Sequence, residues 1–376
     1  MVRALYIHLP FCLKKCLYCG FPSTDDPFFS HERYIQALVR EISGVRDLGE
    51  TDSLTSVYMG GGTPSALAPS LLADLLVHCR TTFRMEADAE ITIEVNPATV
   101  SNADLELLRG TGFNRLSVGV QSIHNDELAS LGRLHDGAAG LRCIAMAASA
   151  GFTNISVDLM YGIPRQTPDS WRQTLEAVLA GQPTHLSIYE LSIEPDTPFG
   201  VMQAAGELAT CSEDDLTEME EITSRVCTAA RLHRYEIASY ARAGNLCRHN
   251  LTYWRNLPYY GCGAGSVSFI NGSRCRRVSD PEGYCRSLET GQPVFAECEK
   301  LSAEAGFKES VMLGLRLMDG PDISELQQRY QLDIDTVYPD EITTLVDQGL
   351  LHRTSRRVYL TPRGLRYANM VMARLI

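Results

Sequence analysis

The sequence predicts an α/β fold, namely an open, partial (β/α)6 barrel of the TIM type followed by a C-terminal helical, winged-helix-like domain. Apolar strand patterns alternate with amphipathic helix patterns up to about residue 241, which requires a parallel sheet covered by helices. Unusual residues also stand at the carboxyl end of nearly every strand, where such barrels place their sites. Six or seven units are too few for the usual eight-unit barrel, so the barrel should be open.

The strand and helix units follow one another along the chain. Strands are predicted at residues 4–10, 55–59, 91–95, 116–120, 155–159 and 185–191, with 236–240 as a candidate seventh. Helices are predicted near residues 34–42, 69–79, 137–150 and 213–232. A capping box at Ser101 and Asp104 opens a further helix. Thr167 and Pro168 cap and start another, which Gly181 ends.

The chain divides into three parts. Residues 1–241 form the barrel, residues 242–300 form an irregular connecting segment rich in turn signals, and residues 301–376 form the C-terminal domain. In that last part, helical patterns at 323–330 and 334–348 precede two short strands at 351–353 and 358–360, the order of a winged helix. The acidic second helix disfavours DNA binding and leaves packing, or covering a substrate, as its role.

Composition narrows the class of protein. The chain has 376 residues, 44% of them apolar and 21% charged, as in a globular protein. Its net charge of −12 with no basic stripe argues against a nucleic-acid binder. It has no apolar run of about 18 residues and no signal-peptide pattern, so we expect a cytoplasmic location. We therefore expect the scattered cysteines to be reduced and buried, namely Cys79, Cys143, Cys211 and Cys227.

Three cysteines with C-x3-C-x2-C spacing follow the first strand, namely Cys12, Cys16 and Cys19. Three thiolates so placed can hold three irons of a [4Fe–4S] cluster and leave the fourth iron open for another ligand. A zinc knuckle is the main alternative, for which His8 is the only nearby fourth ligand. A disulfide loop is the other.

With the aromatic Tyr18 before the third cysteine, this motif is similar to that of the radical S-adenosylmethionine (SAM) superfamily. The string from Tyr6 to Cys12, Tyr-Ile-His-Leu-Pro-Phe-Cys, resembles the HemN/HemW branch of that superfamily. The resemblance implies a [4Fe–4S] cluster whose open iron chelates the amino and carboxylate groups of SAM. It also implies one-electron cleavage of SAM to methionine and a 5′-deoxyadenosyl radical.

The resemblance further implies a set of SAM contacts at the ends of the strands. Gly61, Gly62 and Thr63 would approach the amino group, which a glycine loop allows because no Cβ intervenes. Arg133 would suit the carboxylate with its planar fork, while acidic side chains would accept hydrogen bonds from the ribose or the amino group. A tight turn, salt bridges and helix caps are the structural alternatives. The remaining matched positions are Tyr6, Tyr18, Glu94, Gln121 and Asp158.

The string His249-Asn-x-x-Tyr-Trp254 resembles the signature of the heme-binding members of the branch. Imidazole is a common axial ligand of heme iron, so the resemblance implies that His249 binds heme. A packing corner with a hydrogen-bonded histidine is the alternative. Gly265 stands where many relatives carry a histidine, so any contribution from that position is absent here.

A further group of cysteines could ligate an auxiliary cluster or zinc, but its spacing matches no compact ligand pattern. These cysteines are Cys247, Cys262, Cys275, Cys285 and Cys298.

The branch leaves an enzyme and a carrier as alternatives, so whether the chain is an enzyme stays open. We favour a heme chaperone that delivers heme to respiratory haemoproteins. An oxygen-independent coproporphyrinogen III dehydrogenase would have a fourth cysteine where Phe21 stands, and a HemN-like radical methyltransferase is the third option. The partners expected are heme, recipient haemoproteins and a flavodoxin or ferredoxin reductant, with membrane contact only through recipients. The sequence does not determine the oligomeric state.

Overall fold

A computed structural model describes residues 1–45 and 51–376. Fourteen strands are present in this part of the chain. They are β1 (Val2–Leu9), β2 (Thr51–Gly61), β3 (Met85–Val95), β4 (Arg115–Gln121), β5 (Asn154–Tyr161), β6 (His185–Glu190), β7 (His233–Arg234), β8 (Ser239–Ala241), β9 (Tyr260–Cys262), β10 (Val267–Ile270), β11 (Ser273–Arg277), β12 (Phe295–Lys300), β13 (Leu351–Arg353) and β14 (Val358–Leu360).

Sixteen α-helices connect or flank these strands in the same described ranges. They are α1 (His31–Val45), α2 (Pro69–Thr82), α3 (Asn102–Thr111), α4 (Asn125–Ser130), α5 (Gly137–Ser149), α6 (Pro168–Ala180), α7 (Pro198–Ala204), α8 (Glu213–Ala229), α9 (Arg248–Trp254), α10 (Pro281–Thr290), α11 (Ala303–Gly314), α12 (Ile323–Tyr330), α13 (Ile334–Val337), α14 (Glu341–Asp347), α15 (Pro362–Arg366) and α16 (Ala368–Ala373). None of the helices described combines the length and apolarity needed to cross a bilayer.

The central sheet runs in the order β7-β8-β6-β5-β4-β3-β2-β1-β9. Strands β1 to β6 and β9 are parallel to their neighbours, whereas β8 and β7 are antiparallel additions at one edge. Because β7 and β9 end the sheet without pairing to each other, the barrel is open. The predicted α/β fold class is confirmed, and the predicted six parallel units are all present.

The two faces of this sheet differ in chemistry. Side chains alternate along a strand, so one set points to the helices and the other to the barrel interior. The outward set is apolar and buried, as Ile7, Val57 and Ile93 illustrate. The inward set is strongly polar and equally buried: Ser56, Glu90, Thr92, Arg115, Ser117, Ser156, His185 and Ser187. The interior is therefore a polar network surrounded by an apolar shell.

Residues 242–300, expected to be an irregular connection, contain regular structure. Strand β9 joins the central sheet beside β1, and β10, β11 and β12 form a separate antiparallel sheet. The candidate seventh strand at 236–240 is the short antiparallel β8 instead of a parallel strand. Three-residue strands such as β8 and β9 carry too little periodicity to be found by pattern, since only pairing with a longer neighbour defines them.

A disulfide joins Cys275 to Cys298 across β11 and β12, with their Cα atoms 4.1 Å apart. This pair could not be predicted from the sequence, because the two cysteines are neighbours only through strand register. Cys247, Cys262 and Cys285 are free and buried.

The C-terminal part has a hydrophobic core of its own. Phe307 and Val311 of α11, with Leu315 directly after it, pack with residues from α12, α14, β13, β14 and α16. The β13–β14 hairpin follows the helices, in the order that the sequence predicted for a winged-helix-like domain. This domain meets the barrel through backbone hydrogen bonds that join Tyr235 and Ile237 to the turn after α11.

A buried ion pair fastens the β10–β12 sheet to the first helix. Arg277 Nε donates to Glu41 at 2.8 Å, and both side chains are almost fully inaccessible. The other Glu41 oxygen accepts from the Tyr284 hydroxyl and from the backbone N–H of Gly263. The tight loop that contains Gly263 thus depends on one carboxylate.

We expect Arg277→Met to lower the free energy of unfolding by about 3–5 kcal/mol, because Glu41 would remain as a buried charge without its cation. Arg276→Met is the matched control, since Arg276 pairs with Glu297 on the surface; its cost should be below about 1 kcal/mol. Denaturant unfolding measures both. If both variants lose the same unfolding free energy, the buried pair contributes no more to stability than the surface pair.

Candidate functional site

The cysteine loop follows β1 and is held by backbone hydrogen bonds to distant parts of the barrel. The N–H of Cys12 donates to the carbonyl of Thr24, and the N–H of Leu17 donates to the carbonyl of Leu131 after α4. The carbonyl of Leu17 in turn accepts from the N–H of Phe199 in α7. The loop therefore has a fixed position at the carboxyl ends of the strands.

Two of the three thiols contact residues from other strand ends. Thr63 Oγ1 donates to Cys12 Sγ at 3.6 Å, and Arg133 Nη1 donates to Cys16 Sγ at 3.6 Å. All three thiols are half-buried. Burial raises the pKa of Cys12 and of Cys19.

His8 is already committed to other partners. Its Nε2 lies 2.8 Å from the Pro22 carbonyl, so Nε2 carries the proton, and Nδ1 accepts from the Tyr6 hydroxyl at 3.0 Å. Among the described residues, no group of three or more His, Cys, Asp or Glu side chains is placed to hold a single metal ion. Cluster ligands bind separate irons, so they need not converge on one point.

The glycine triplet lies directly against the cysteine loop. The N–H of Gly62 donates to the Leu9 carbonyl, and the N–H of Thr63 donates to the Phe11 carbonyl. A Cβ on Gly62 would lie 2.7 Å from that Phe11 oxygen. Gly61 has φ of +115°, and its Cβ would overlap the His8 ring. Glycine is required here because two stretches of backbone touch.

Glu94 ends β3 beside the triplet. Its carboxylate accepts from the Tyr58 hydroxyl at 2.7 Å and from the Gly61 N–H at 3.1 Å. Burial, with a smaller contribution from the charge of Asp158, raises the pKa of Glu94 to about 7. This side chain is therefore close to the boundary between its neutral and charged forms at physiological pH.

Asp158 lies within β5 across the barrel, on a strand that continues to Tyr161. Its two oxygens lie 3.1 Å from the Ser117 hydroxyl, and Ser187 is a second hydroxyl partner. Burial raises the pKa of Asp158 although both hydroxyls oppose the shift. Two carboxyl groups, those of Glu94 and Asp158, thus face the same water-poor interior. A cation or a set of hydroxyl donors between them would stabilise both.

Arg133 and Gln121 complete the rim at the end of β4. Arg133 Nη2 donates to the Gly119 carbonyl, while its Nε is buried and has no acceptor among the described residues. Gln121 is buried and adopts φ of +66°, a strained conformation for a residue with a Cβ. Strain and unsatisfied donors of this kind often mark binding sites.

The two predicted tyrosines occupy different places. Tyr6 is inside the barrel, where burial raises its pKa well above its ordinary value. Tyr18 lies in the cysteine loop and packs with the cluster formed by Leu131, Ile163 and Phe199. Tyr18 is therefore at the rim, whereas Tyr6 supports the rim from below through His8.

His249 is not at the rim. It is fully buried, with Nδ1 2.9 Å from the Ser56 hydroxyl and Nε2 2.8 Å from the Tyr253 hydroxyl. Burial lowers the pKa of His249 to about 3, so the ring stays neutral. Both ring nitrogens are occupied, as in a packing corner. Gly265 has φ of +76°, a conformation that a histidine would adopt only with strain.

Sequence reasoning overlooked the polar partners that position the acidic residues, namely Tyr58, Ser117 and Ser187. The two-residue periodicity of a strand could have identified them, because each of the three lies an even number of positions from another inward-facing residue of its strand. Tyr58, for example, lies between Ser56 and Gly60. Reading the polar side of every strand, instead of only its last residue, would have found them.

The residues present fit a [4Fe–4S] cluster with SAM. The structure brings three thiols, a glycine triplet, an arginine with a spare donor and two buried carboxyl groups to one end of the barrel. A molecule that carries a carboxylate, an ammonium group and hydroxyls finds a partner for each of them there.

Comparison with known families agrees with this site. Residues 6–178 match the radical SAM superfamily, and residues 301–367 match the HemN C-terminal domain. Proteins named heme chaperone HemW are similar over the full length. That of Synechocystis is 34% identical over 100% of this chain and 96% of the relative, that of Bacillus subtilis 33% over 98% of both, and that of Escherichia coli 32% over 98% and 97%.

Among solved structures, the chain resembles coproporphyrinogen III oxidase (HemN) from Escherichia coli. The TM-score is 0.84 at 23% identity, covering 100% of this chain and 90% of that one. At this level of identity the likeness establishes the fold.

The raised pKa of Glu94 predicts a pH-dependent cost to stability. The folded protein holds this proton up to about pH 7, whereas an unfolded chain releases it near 4.5, so stability falls as pH rises between those values. Glu94→Gln should therefore match the original protein at pH 4 and exceed its unfolding free energy by about 3 kcal/mol at pH 8. Denaturant unfolding of cluster-free protein measures this, with the exposed Glu106→Gln as control. A pH-independent difference would contradict it.

Proposed function

The chain belongs to the radical SAM superfamily and, within it, to the family of heme chaperones named HemW, and on that premise we propose that it binds heme and delivers it to respiratory haemoproteins. The observation that carries the proposal is similarity of 32–34% identity to the relatives compared above over almost their entire length. Superfamily membership itself implies a [4Fe–4S] cluster and SAM.

We assign the cluster to Cys12, Cys16 and Cys19. Bound together, the cluster and SAM supply one-electron reduction of a sulfonium. Thr63 and Arg133 each donate a hydrogen bond to a cysteine sulfur, which stabilises thiolate charge and favours the ligating form. The backbone bonds to Thr24 and Leu131 keep the loop in place, so the ligands are oriented by the barrel itself.

We assign SAM to the rim beside these cysteines. The spare donor of Arg133 suits the carboxylate of the cofactor, and the half-buried Gly61 and Gly62 beside the cysteine loop would offer backbone carbonyls to its amino group. Glu94 and Asp158 accept from the amino group or the ribose hydroxyls, with Gln121 and Tyr18 beside them. Tyr6 acts indirectly, because its hydroxyl orients His8 under the glycine triplet.

Direct binding of heme iron by His249 would cost one of the two hydrogen bonds of its ring. To ligate iron, Nε2 would have to exchange the Tyr253 hydroxyl for the metal, and Nδ1 would keep Ser56. The chaperone proposal does not require this exchange, since other side chains can ligate heme iron.

The alternative activities have less support. A coproporphyrinogen III dehydrogenase of the HemN kind shares the fold, but Phe21 stands where that enzyme has its fourth cysteine and is largely exposed. A radical methyltransferase has no feature in its favour beyond the shared cofactor site. A flavodoxin or ferredoxin is the reductant that we propose, and recipient haemoproteins are the acceptors of heme.

Cys16→Ala should abolish the brown absorbance of the reconstituted cluster while leaving the circular dichroism spectrum intact, because two thiolates cannot hold the cube. Cys211→Ala is the matched control, since Cys211 is a half-buried free cysteine outside the loop. Full iron and sulfide content in the Cys16 variant would refute the ligand assignment.

Purified, reconstituted protein incubated with heme, SAM and dithionite should retain heme in a stoichiometric amount. Incubated with coproporphyrinogen III in place of heme, it should leave that compound unchanged. Porphyrinogen turnover would instead establish the dehydrogenase, and formation of S-adenosylhomocysteine would establish methyl transfer. Transfer of the bound heme to an apo-haemoprotein, followed by the absorbance of the recipient, is the direct test of delivery. No heme retention at all would contradict the chaperone proposal.

A further inference from the structure

A groove of about 450 Å³ lies where the C-terminal domain meets the edge of the barrel. One wall comes from the ends of β5 and β6 and from the segment that holds β7 and β8. The other comes from α15, α16 and the residue between them. The volume is in the range of sites for drug-sized ligands and cofactors. The groove contains no residue of the cysteine loop or the glycine triplet.

The walls of the groove combine apolar and aromatic side chains with polar ones. Tyr189, Tyr367 and Met370 are three of the large hydrophobic side chains that the chain leaves exposed, at 44%, 51% and 46%, and all three line this groove. Ile237 and Leu365 extend the apolar surface between them. A concave site that exposes apolar side chains beside polar groups is typical of a ligand-binding site.

Three arginines from three different segments also line the groove, namely Arg234, Arg316 and Arg366. A guanidinium carries five N–H donors, and the ion pairs of Arg316 with Glu236 and of Arg366 with Glu221 engage one nitrogen each. Of the carboxylates that line the groove, Glu220 pairs with Arg234 and Glu190 accepts from Tyr161. Arg234 is fully engaged, because its other nitrogens donate to the Ile237 carbonyl, so Arg316 and Arg366 supply the remaining guanidinium donors.

Arg316 connects the groove to the His249 motif. Its guanidinium carbon lies 4.2 Å from the ring centroid of Trp254, the last residue of that motif. Arg316 Nε and Trp254 Nε1 are both buried without an acceptor among the described residues. The stacking of Arg316 on Trp254 therefore ties the groove to the His249 motif.

We propose that this groove is the heme-binding site of the protein, with the propionates on Arg316 and Arg366 and the macrocycle against Tyr189, Tyr367 and Met370. The inference rests on the proposed chaperone function. It assigns the heme to a surface groove and gives the His249 motif a positioning role, through Trp254 and Arg316, in place of direct iron ligation.

Heme is the occupant whose chemistry matches each part of the groove. It is a planar apolar macrocycle with two carboxylates at one edge, so it needs an apolar cleft with cations at one side. Tyr367 and Met370 can also supply an axial ligand, since phenolate and thioether both occur on heme iron. An exposed groove between two domains suits a carrier, because the cargo can leave without unfolding the barrel.

The groove also reaches the mouth of the barrel. Tyr189 follows Ser187, a partner of Asp158, on β6. Asp158 on β5 pairs with Ser187 on β6, and Tyr189 is two positions further along the same side of β6, which places this phenol near the proposed SAM site. A heme in the groove would therefore lie at the edge of the SAM rim.

The test is titration of the full-length, heme-free protein with hemin, followed by its Soret absorbance. Arg366→Glu and the double variant Tyr367→Ala/Met370→Ala should each weaken binding about tenfold, because each loses contacts worth more than about 1.4 kcal/mol. The matched control is Arg363→Glu, an exposed arginine of the same helix α15 that does not line the groove; it should bind hemin as the original protein does.

A second titration with hemin dimethyl ester isolates the arginine contacts. The original protein should bind the ester about tenfold more weakly than hemin, and Arg366→Glu should lose most of this preference. Thermal unfolding of every variant checks that the fold is intact.

The outcomes separate the two proposals. Unchanged hemin affinity in both groove variants, with loss in His249→Ala alone, would overturn the groove and leave the chaperone function standing. Failure of the original protein to bind hemin would instead contradict the proposed function itself.

Discussion

The alternation of side chains along parallel strands is the constraint on which the rest of the structure depends. It turns one side of β1 to β6 towards the helices and the other towards the interior, and it makes all their carboxyl ends meet at one rim. The apolar side builds the core. The polar side leaves Glu94, Asp158 and Tyr58 in a water-poor space, where burial raises the pKa of each. A site for a charged cofactor is thus a consequence of how the barrel is made.

The cysteine loop is positioned from several directions at once. Its base rests on the glycine triplet, and its middle bonds to Leu131 and Phe199. Behind it, the Tyr34 hydroxyl donates to the His8 carbonyl and accepts from the N–H of Ala264. The loop around Ala264 is in turn held by Glu41 and its ion pair with Arg277. Segments far apart in sequence therefore share the task of holding three thiols in place.

The C-terminal domain contributes exposed apolar side chains to the groove at the edge of the barrel. It has a separate core, so it could have packed on the barrel with its apolar surface fully buried. Instead the corner of α15 and α16 keeps Tyr367 and Met370 exposed beside three arginines. Exposing apolar side chains to water is unfavourable, and their grouping in a groove is the physical reason for proposing that a ligand binds there.

The sequence by itself determined the barrel, the order of its units and the position of the cysteine loop after the first strand, because periodicity, capping residues and the Cys12–Cys19 spacing are local features. It did not reveal β9, the Cys275–Cys298 disulfide, the bonds that occupy His249 or the groove. Each of these depends on residues that are distant in sequence and adjacent only after folding. The tertiary structure decided them, since hydrogen-bond partners, burial and an open cleft are properties of the packed chain and of no single segment.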